Sequence, residues 1–277
     1  MRNVSRVEAL VLSLIVLSSQ NRVPRVDAFG SYHMSVASVS GKTVRANGLQ
    51  HAHQLRTSFI ALRHGQSLAN EQGIISSRPD VSTIEHGLTN EGKKQAKAAG
   101  IQILEKLNSY KESSPDKFRG VAILSSDYMR AKETAEIVAS CVEQHSAFPL
   151  FQNQVIFDER LRERGFGDLH ATSDTNYQKV WTVDAKDPNH TEWNVESINS
   201  VLQRTTDLVR ELEDKTLYDP SDKSAFWVCV LVAHGDVLQI LQTAFANINV
   251  KQHRSLLHLK TGVPRDLILT TDQDQVG

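Results

Sequence analysis

Two cysteines in 277 residues leave no basis for a disulfide framework. Cys141 and Cys229 sit instead in the apolar stretches EIVASCV and WVCVLV, where a thiol packs as a small hydrophobe. Neither a G-x-x-x-x-G-K-[ST] loop nor a His-Glu-x-x-His pair occurs, so nothing in the sequence calls for a nucleotide or zinc mechanism. The apolar run ALVLSLIVL falls well short of the ~20 residues that span a bilayer, which argues against a stable membrane span. Excess basic charge is missing as well. Of 31 Lys/Arg and 32 Asp/Glu, residues 1–56 hold seven and two, leaving 24 and 30 for the rest. That body carries a charge of about −6, which argues against a nucleic-acid surface. Its length suits one sizeable core.

The first 56 residues read as a leader and not as a folded domain. MRNVSR is basic, ALVLSLIVL is apolar and Ala28 offers a small residue for cleavage, the pattern of a secretory signal. A frayed amphipathic helix is the structural alternative. No Asp or Glu occurs from Ala28 to Asn70, whereas Ser31, Ser35, Ser38, Ser40, Lys42, Arg45 and Arg56 do, a composition similar to a transit peptide. A signal, an Ala28-Phe29 junction and a transit-like segment together resemble the bipartite leader of algae with complex plastids. The expected destination is a plastid reached by the secretory route. Plain secretion is the alternative, in which case Asn189-His190-Thr191 is an available glycosylation sequon. His51 and His53 belong to this segment and are not read as metal ligands.

From residue 57 to 277 short apolar runs alternate with longer amphipathic segments. Strands are expected at 57–62, 120–125, 226–233 and 265–270. Helices are expected at 89–107, opened by Thr89, at 128–142, at 194–213, and at 235–246 with Asp236 in the first turn. Strands separated by helices predict an α/β domain with a parallel sheet covered on both faces. Residues 111–117 and 215–224 read as polar loops within that domain.

One echo stands out. FIALRHG and VLVAHG each run an apolar strand into His-Gly, at His64 and His234. Ligands of open α/β sheets bind beyond the carboxyl ends of the strands, so two imidazoles placed there can face one pocket. A lone His after a strand is more often a packed or capping residue. Its recurrence with Gly, which lets a ligand approach the backbone, favours the functional reading. In AILSSDYMRAKETAE the strand ends at Ser125 or Ser126, Asp127 is the expected N-cap, and Arg130 falls in the first helical turn. A cation there opposes the helix dipole, and a bound phosphate would offset it. Pairing of Arg130 with Asp127 or Glu133 is the plainer alternative. Arg63, His64, Arg130 and His234 thus describe a cationic cup for a small anion. Phosphoryl transfer also needs an acid for the leaving group. FDERLRERGFGDL supplies Asp158, Glu159, Glu163 and Asp168, and spacing does not choose among them.

RHGQSLAN, GLTNEGKKQA, SSDYMRAKETAE, LRERGFGDL and VLVAHGD, in this order, resemble the signature blocks of the histidine phosphatase superfamily, in its phosphoglycerate-mutase-like branch. The likeness covers about residues 57–270. It implies a three-layer α/β/α sandwich with a mostly parallel central sheet and a mechanism that uses no metal or other cofactor. By the resemblance His64 is the nucleophile that becomes phosphohistidine, and Arg63, Arg130 and His234 hold the phosphoryl oxygens. Asn70 adds a side-chain donor. Glu163 gives a proton to the leaving group and then activates water, and Ser76 and Ser77 fall where relatives touch substrate.

Departures from the family narrow the activity. Cofactor-dependent glycolytic mutases carry Glu-Arg-His-Tyr-Gly at the acid, a longer insertion before the second histidine and a tail over the site. Here the block is Glu163-Arg164-Gly165-Phe166-Gly167, with a shorter stretch before His234. These features are similar to the broad-specificity phosphatases, and without a tail to exclude water, hydrolysis is expected to win over transfer. A mutase and a non-catalytic phosphate-binding scaffold are the alternatives. The expected partner is a small phosphorylated substrate, with a homo-oligomer left open. Residues 166–200, with Phe166, His170, Tyr177, Lys179, Trp181, Lys186 and Trp193, are expected to roof the pocket. Few cations lie among them, which speaks against a highly phosphorylated ligand. Trp181 and Trp193 read more readily as packed residues than as ligand contacts.

Overall fold

The computed structural model describes Leu49, residues 55–144 and residues 148–270. The leader expected at 1–56, with its cleavage junction and its two histidines, lies outside the described residues except for Leu49, Leu55 and Arg56.

In chain order the elements are β1 (Ser58–Arg63), α1 (Leu68–Gln72), α2 (Pro79–Ser82), α3 (Asn90–Ser113), β2 (Phe118–Ser125) and α4 (Met129–Glu143). They continue with β3 (Ile156–Phe157), α5 (Tyr177–Asp184), α6 (Ile198–Glu211), β4 (Phe226–Ala233), α7 (Gly235–Phe245) and β5 (Pro264–Leu267). The sheet order is β3-β2-β4-β1-β5. β1, β2, β3 and β4 pair in parallel, and β5 adds an antiparallel edge to β1. Pro264 can open that edge strand because its missing amide costs no inner ladder bond.

The period-two alternation of each strand splits the core in two. Ile60, Leu62, Val121, Ile123, Val228, Val230 and Val232 face α3 and α4. Phe59, Ala61, Ala122, Leu124, Cys229 and Leu231 face α6 and α7. The molecule is therefore the expected α/β/α sandwich with a mostly parallel sheet.

Local chemistry sets the helix ends. Thr89 caps α3, its hydroxyl accepting from Gly92 N at 3.0 Å. α6 starts at Ile198 and not at 194, because Trp193 and Asn194 take left-handed φ of 55° and 57° that stop a helix from extending back through them. The N-cap of α4 is Tyr128, not Asp127, whose carboxylate is drawn away into a pair with Arg162 at 2.5 and 2.8 Å. The short elements β3, α1, α2 and α5 were not signalled by periodicity. Among the described residues no helix is long and apolar enough to cross a membrane.

Candidate active site

The register of β1 on β4 pairs Arg63 with Ala233, so His64 and His234 follow one another's strand ends on adjacent strands. His64 N donates to Ala233 O at 3.0 Å, which carries the ladder one rung further. The imidazole centroids lie 5.2 Å apart at an interplanar angle of 62°. A Cβ at Gly65 would collide with Gly92 O, and one at Gly92 with Gln66 O. The chain after the first histidine is thereby wedged against the first turn of α3, a contact that only glycine permits.

Hydrogen bonding fixes the tautomer of His64. Its Nδ1 lies 2.7 Å from Gly65 O, which can only accept, so Nδ1 carries the proton. Nε2 then presents a lone pair, and Arg130 Nε donates to it at 3.1 Å. Burial first, and then Arg130 and Arg63, hold the pKa of His64 well below its ordinary value, so the ring is neutral and nucleophilic at physiological pH. His234 is completely buried and does not itself line the cavity. Its Nε2 lies 2.9 Å from Ser126 Oγ. Its Nδ1 has no hydrogen-bond partner among the described residues and stands 4.0 Å from Glu163 Oε2. Burial and Arg130 depress its pKa too.

Two guanidiniums flank His64. Arg130, on the first turn of α4, is 3% exposed, and its Nη2 donates to Ser76 O at 2.9 Å while Nη1 has no partner among the described residues. The alternative pairings fail: Asp127 goes to Arg162, and Glu133 accepts from Leu88 N. Arg63 donates through Nη1 to His258 Nε2 at 2.7 Å and to Leu259 O at 3.2 Å, and its Nε is buried without a partner among the described residues. Burial lowers the pKa of both, and Glu163 partly opposes it. Unspent buried donors on two cations make a receptor for an oxyanion.

The four carboxylates that spacing left equivalent are now distinct. Asp158 pairs with Arg160, Glu159 with Arg162, and Asp168 accepts from Asn194. Glu163 is buried on the cavity wall, its Oε1 accepting from Arg164 N at 3.0 Å. Burial pushes its pKa up to about 7 against the pull of Arg130, with Asp236 adding to the rise. A carboxyl so tuned can both give and take a proton near neutrality.

These groups surround a cavity of about 220 Å³. Asn70 lines it with Oδ1 taken by Ser67 N and Oγ, which turns the amide nitrogen into the end available to a ligand. Ser76 lines it and lends its carbonyl to Arg130, while its Oγ bonds Ser82 and His86. Ser77 stands behind the wall, its carbonyl accepting from Tyr128 Oη and its Oγ from Phe166 N. Of the expected roof, Tyr177 and Trp181 reach the cavity, and Trp193 packs on a small core with Phe166. Arg254 and His258 also line it, and the sequence reading passed over both. Neither lies in a local pattern: the chain brings them back only after α7. Among the described residues no group of three or more His, Cys, Asp or Glu side chains could hold a metal ion.

Several solved structures share this fold. Mycobacterial hydrolase 1 has a TM-score of 0.57 at 24% identity, over 76% of this chain and 88% of that one. The native mycobacterial glucosyl-3-phosphoglycerate phosphatase has a TM-score of 0.55 at 23% identity, over 76% and 89%. The alpha-ribazole phosphatase from Shigella flexneri has a TM-score of 0.51 at 20% identity, over 76% and 89%. Identities this low establish likeness of fold alone. No curated protein matches the sequence significantly. Across residues 59–273, however, the sequence matches the model of the histidine phosphatase superfamily, branch 1, and the chain belongs to that superfamily.

Proposed function

We propose that this protein is a phosphomonoester hydrolase that works through a phosphohistidine on His64 and acts on a small phosphorylated metabolite. The observation that carries the reading is the pairing of a neutral imidazole, its Nε2 lone pair turned to a guanidinium, with a buried carboxyl poised near neutrality. Membership of the superfamily and likeness to structures of two named phosphatases support it.

A phosphoryl oxygen arriving beside Arg130 takes over the Nε–H that now meets Nε2 and frees the lone pair for attack. The Nε2–P bond forms as the ester P–O bond breaks, and the leaving oxygen takes the proton of Glu163. Negative charge spread over the phosphoryl oxygens meets Arg63 and Arg130, with Nδ1 of His234, unpartnered among the described residues, close by. In the second half Glu163, now ionised, takes a proton from water. The water oxygen bonds to phosphorus, the P–Nε2 bond breaks and its electron pair returns to the imidazole. Nδ1–H stays on Gly65 O throughout and steadies the positive charge that the phosphorylated ring develops. Two displacements thus use one pocket.

Hydrolysis of p-nitrophenyl phosphate in excess EDTA tests the reading, together with acid-quench trapping. The expected phosphoenzyme is acid-labile and base-stable and is absent from His64→Ala. No turnover would point to a binding scaffold, turnover lost to EDTA to a metallophosphatase, and label on serine would overturn the histidine mechanism.

A further inference from the structure

Arg254 brings a charge that the phosphoryl cup does not need. A phosphomonoester dianion carries two negative charges, and Arg63 and Arg130 already present two positive ones to it. Arg254 places a third guanidinium on the wall of the same cavity. It lies 3.6 Å above the Trp181 ring, which is itself held by Asp236 Oδ1 at 3.0 Å and stacked on Tyr177 at 5.5 Å. One Nη1 donor goes to Gln239 Oε1, and among the described residues no carboxylate pairs with Arg254. A guanidinium held over an indole and hydrogen-bonded to Gln239 is ordered before any ligand arrives, so little freedom is lost when its remaining donors are used.

His258 stands at the same part of the wall. Its Nε2 accepts from Arg63 Nη1, so its proton sits on Nδ1, a further donor. The rim at Gly73 has the opposite sign, because Asp174 lines the cavity there. Glu163 and Asp236 line the cavity of about 220 Å³ as well, and Asp236 is engaged by Arg164 Nη1 at 3.3 Å and by the Trp181 indole at 3.0 Å.

We infer that Arg254, with His258 beside Arg63, forms a second anion subsite, and that the substrate is a small phosphomonoester bearing another anionic group, a carboxylate or a second phosphate. The inference rests on the phosphatase reading for the word substrate, but the subsite itself is testable without turnover. Phosphonates cannot be hydrolysed, so calorimetric titration of 3-phosphonopropionate, propane-1,3-diphosphonate and propylphosphonate into the full protein reads binding alone. Wild type is expected to bind at least one two-anion compound roughly tenfold or more tightly than propylphosphonate, and Arg254→Gln to bring the ratios within about twofold. Arg254→Lys, which keeps the charge and loses the planar fork, should retain part of the preference.

Preference for the carboxylate compound or for the diphosphonate alone identifies which anion the subsite takes. Equal wild-type binding of all three overturns the inference, and so does a ratio that survives in Arg254→Gln. If the glutamine variant fails to fold, Arg254→Lys carries the assignment, and a ratio unchanged from wild type in that variant overturns the inference. Turnover of p-nitrophenyl phosphate, measured in parallel, keeps the two readings apart: turnover without anion preference removes the subsite alone, and preference without turnover removes the phosphatase alone.

Discussion

Arg130 and Arg164 are buried to almost the same degree, 3% and 0% exposed, and the chain treats them in opposite ways. Arg164 is saturated: Asp184 takes two of its donors at 2.7 and 2.8 Å, Asp236 accepts at 3.3 Å and Glu196 O at 2.6 Å. Arg130 has an imidazole lone pair and one carbonyl, and one nitrogen without a partner among the described residues. Burial of a cation is costly unless it is paired. Where the protein neutralises the charge itself, the arginine serves the fold; where it leaves donors unspent, the proposed function has an anion from outside complete the arrangement. Glu163 joins the two, covalently next to Arg164 and electrostatically coupled to Arg130.

The comparison breaks most sharply if Arg130→Met leaves turnover intact. The expected loss is roughly 10³- to 10⁵-fold in kcat/KM, the usual scale for an arginine that meets transition-state charge. Thermal melting should change little. Arg164→Met should do the reverse. Removing one partner strands Asp184 and Asp236, and unfolding free energy in denaturant should fall by about 3–5 kcal/mol. If Arg130→Met proves the more destabilising of the two, the distinction between a structural and a ligand-facing cation collapses.

Glu163→Gln sharpens the comparison from the middle. With an alkyl phosphate the expected loss is ~10²- to 10⁴-fold, and with p-nitrophenyl phosphate much less, because an activated leaving group needs little protonation. Equal losses would hand the acid role to another carboxylate. A smaller effect concerns pH. Turnover of an alkyl phosphate should fall about tenfold per unit above pH 7 as Glu163 ionises, and that limb should vanish in Glu163→Gln. The same shift has a stability counterpart. With its carboxyl raised from 4.5 to about 7, the folded chain keeps a proton that the unfolded chain releases. The contribution of this group is therefore full below pH 4.5 and declines as pH rises to about 7. Denaturant titrations of wild type against Glu163→Gln across that window measure it.

Much of this was legible in the sequence because its causes are local. β1 and β4 end where the apolar runs meet His-Gly, Thr89 caps the helix it was expected to cap, and Arg130 falls in the first turn of the expected helix. Spacing did not separate Glu163 from Asp158, Glu159 and Asp168, and only the family resemblance singled it out, since what distinguishes it physically is burial, and burial is decided by elements distant in sequence. The same holds for Asp127, expected as a cap: a bidentate Arg162 thirty-five positions away outcompetes the backbone amides for its carboxylate. Trp181 was read as packed, and it is packed, against Arg254 and Tyr177, while also facing the cavity. Tertiary neighbours assign these residues, and no periodicity carries them.

The rung that joins Arg63 to Ala233 also acts as a gauge. Neighbouring strands lie about 4.8 Å apart, and the two imidazole centroids are 5.2 Å apart. The separation of the rings is thus inherited from main-chain pairing and owes little to side-chain choice. Slipping either strand by one residue would carry its ring about 3.3 Å along the sheet and turn it to the opposite face, so the sheet tolerates no intermediate error. Two parallel neighbours that stop in step thus supply the spacing, while the glycines after them supply the room for the chain to turn away.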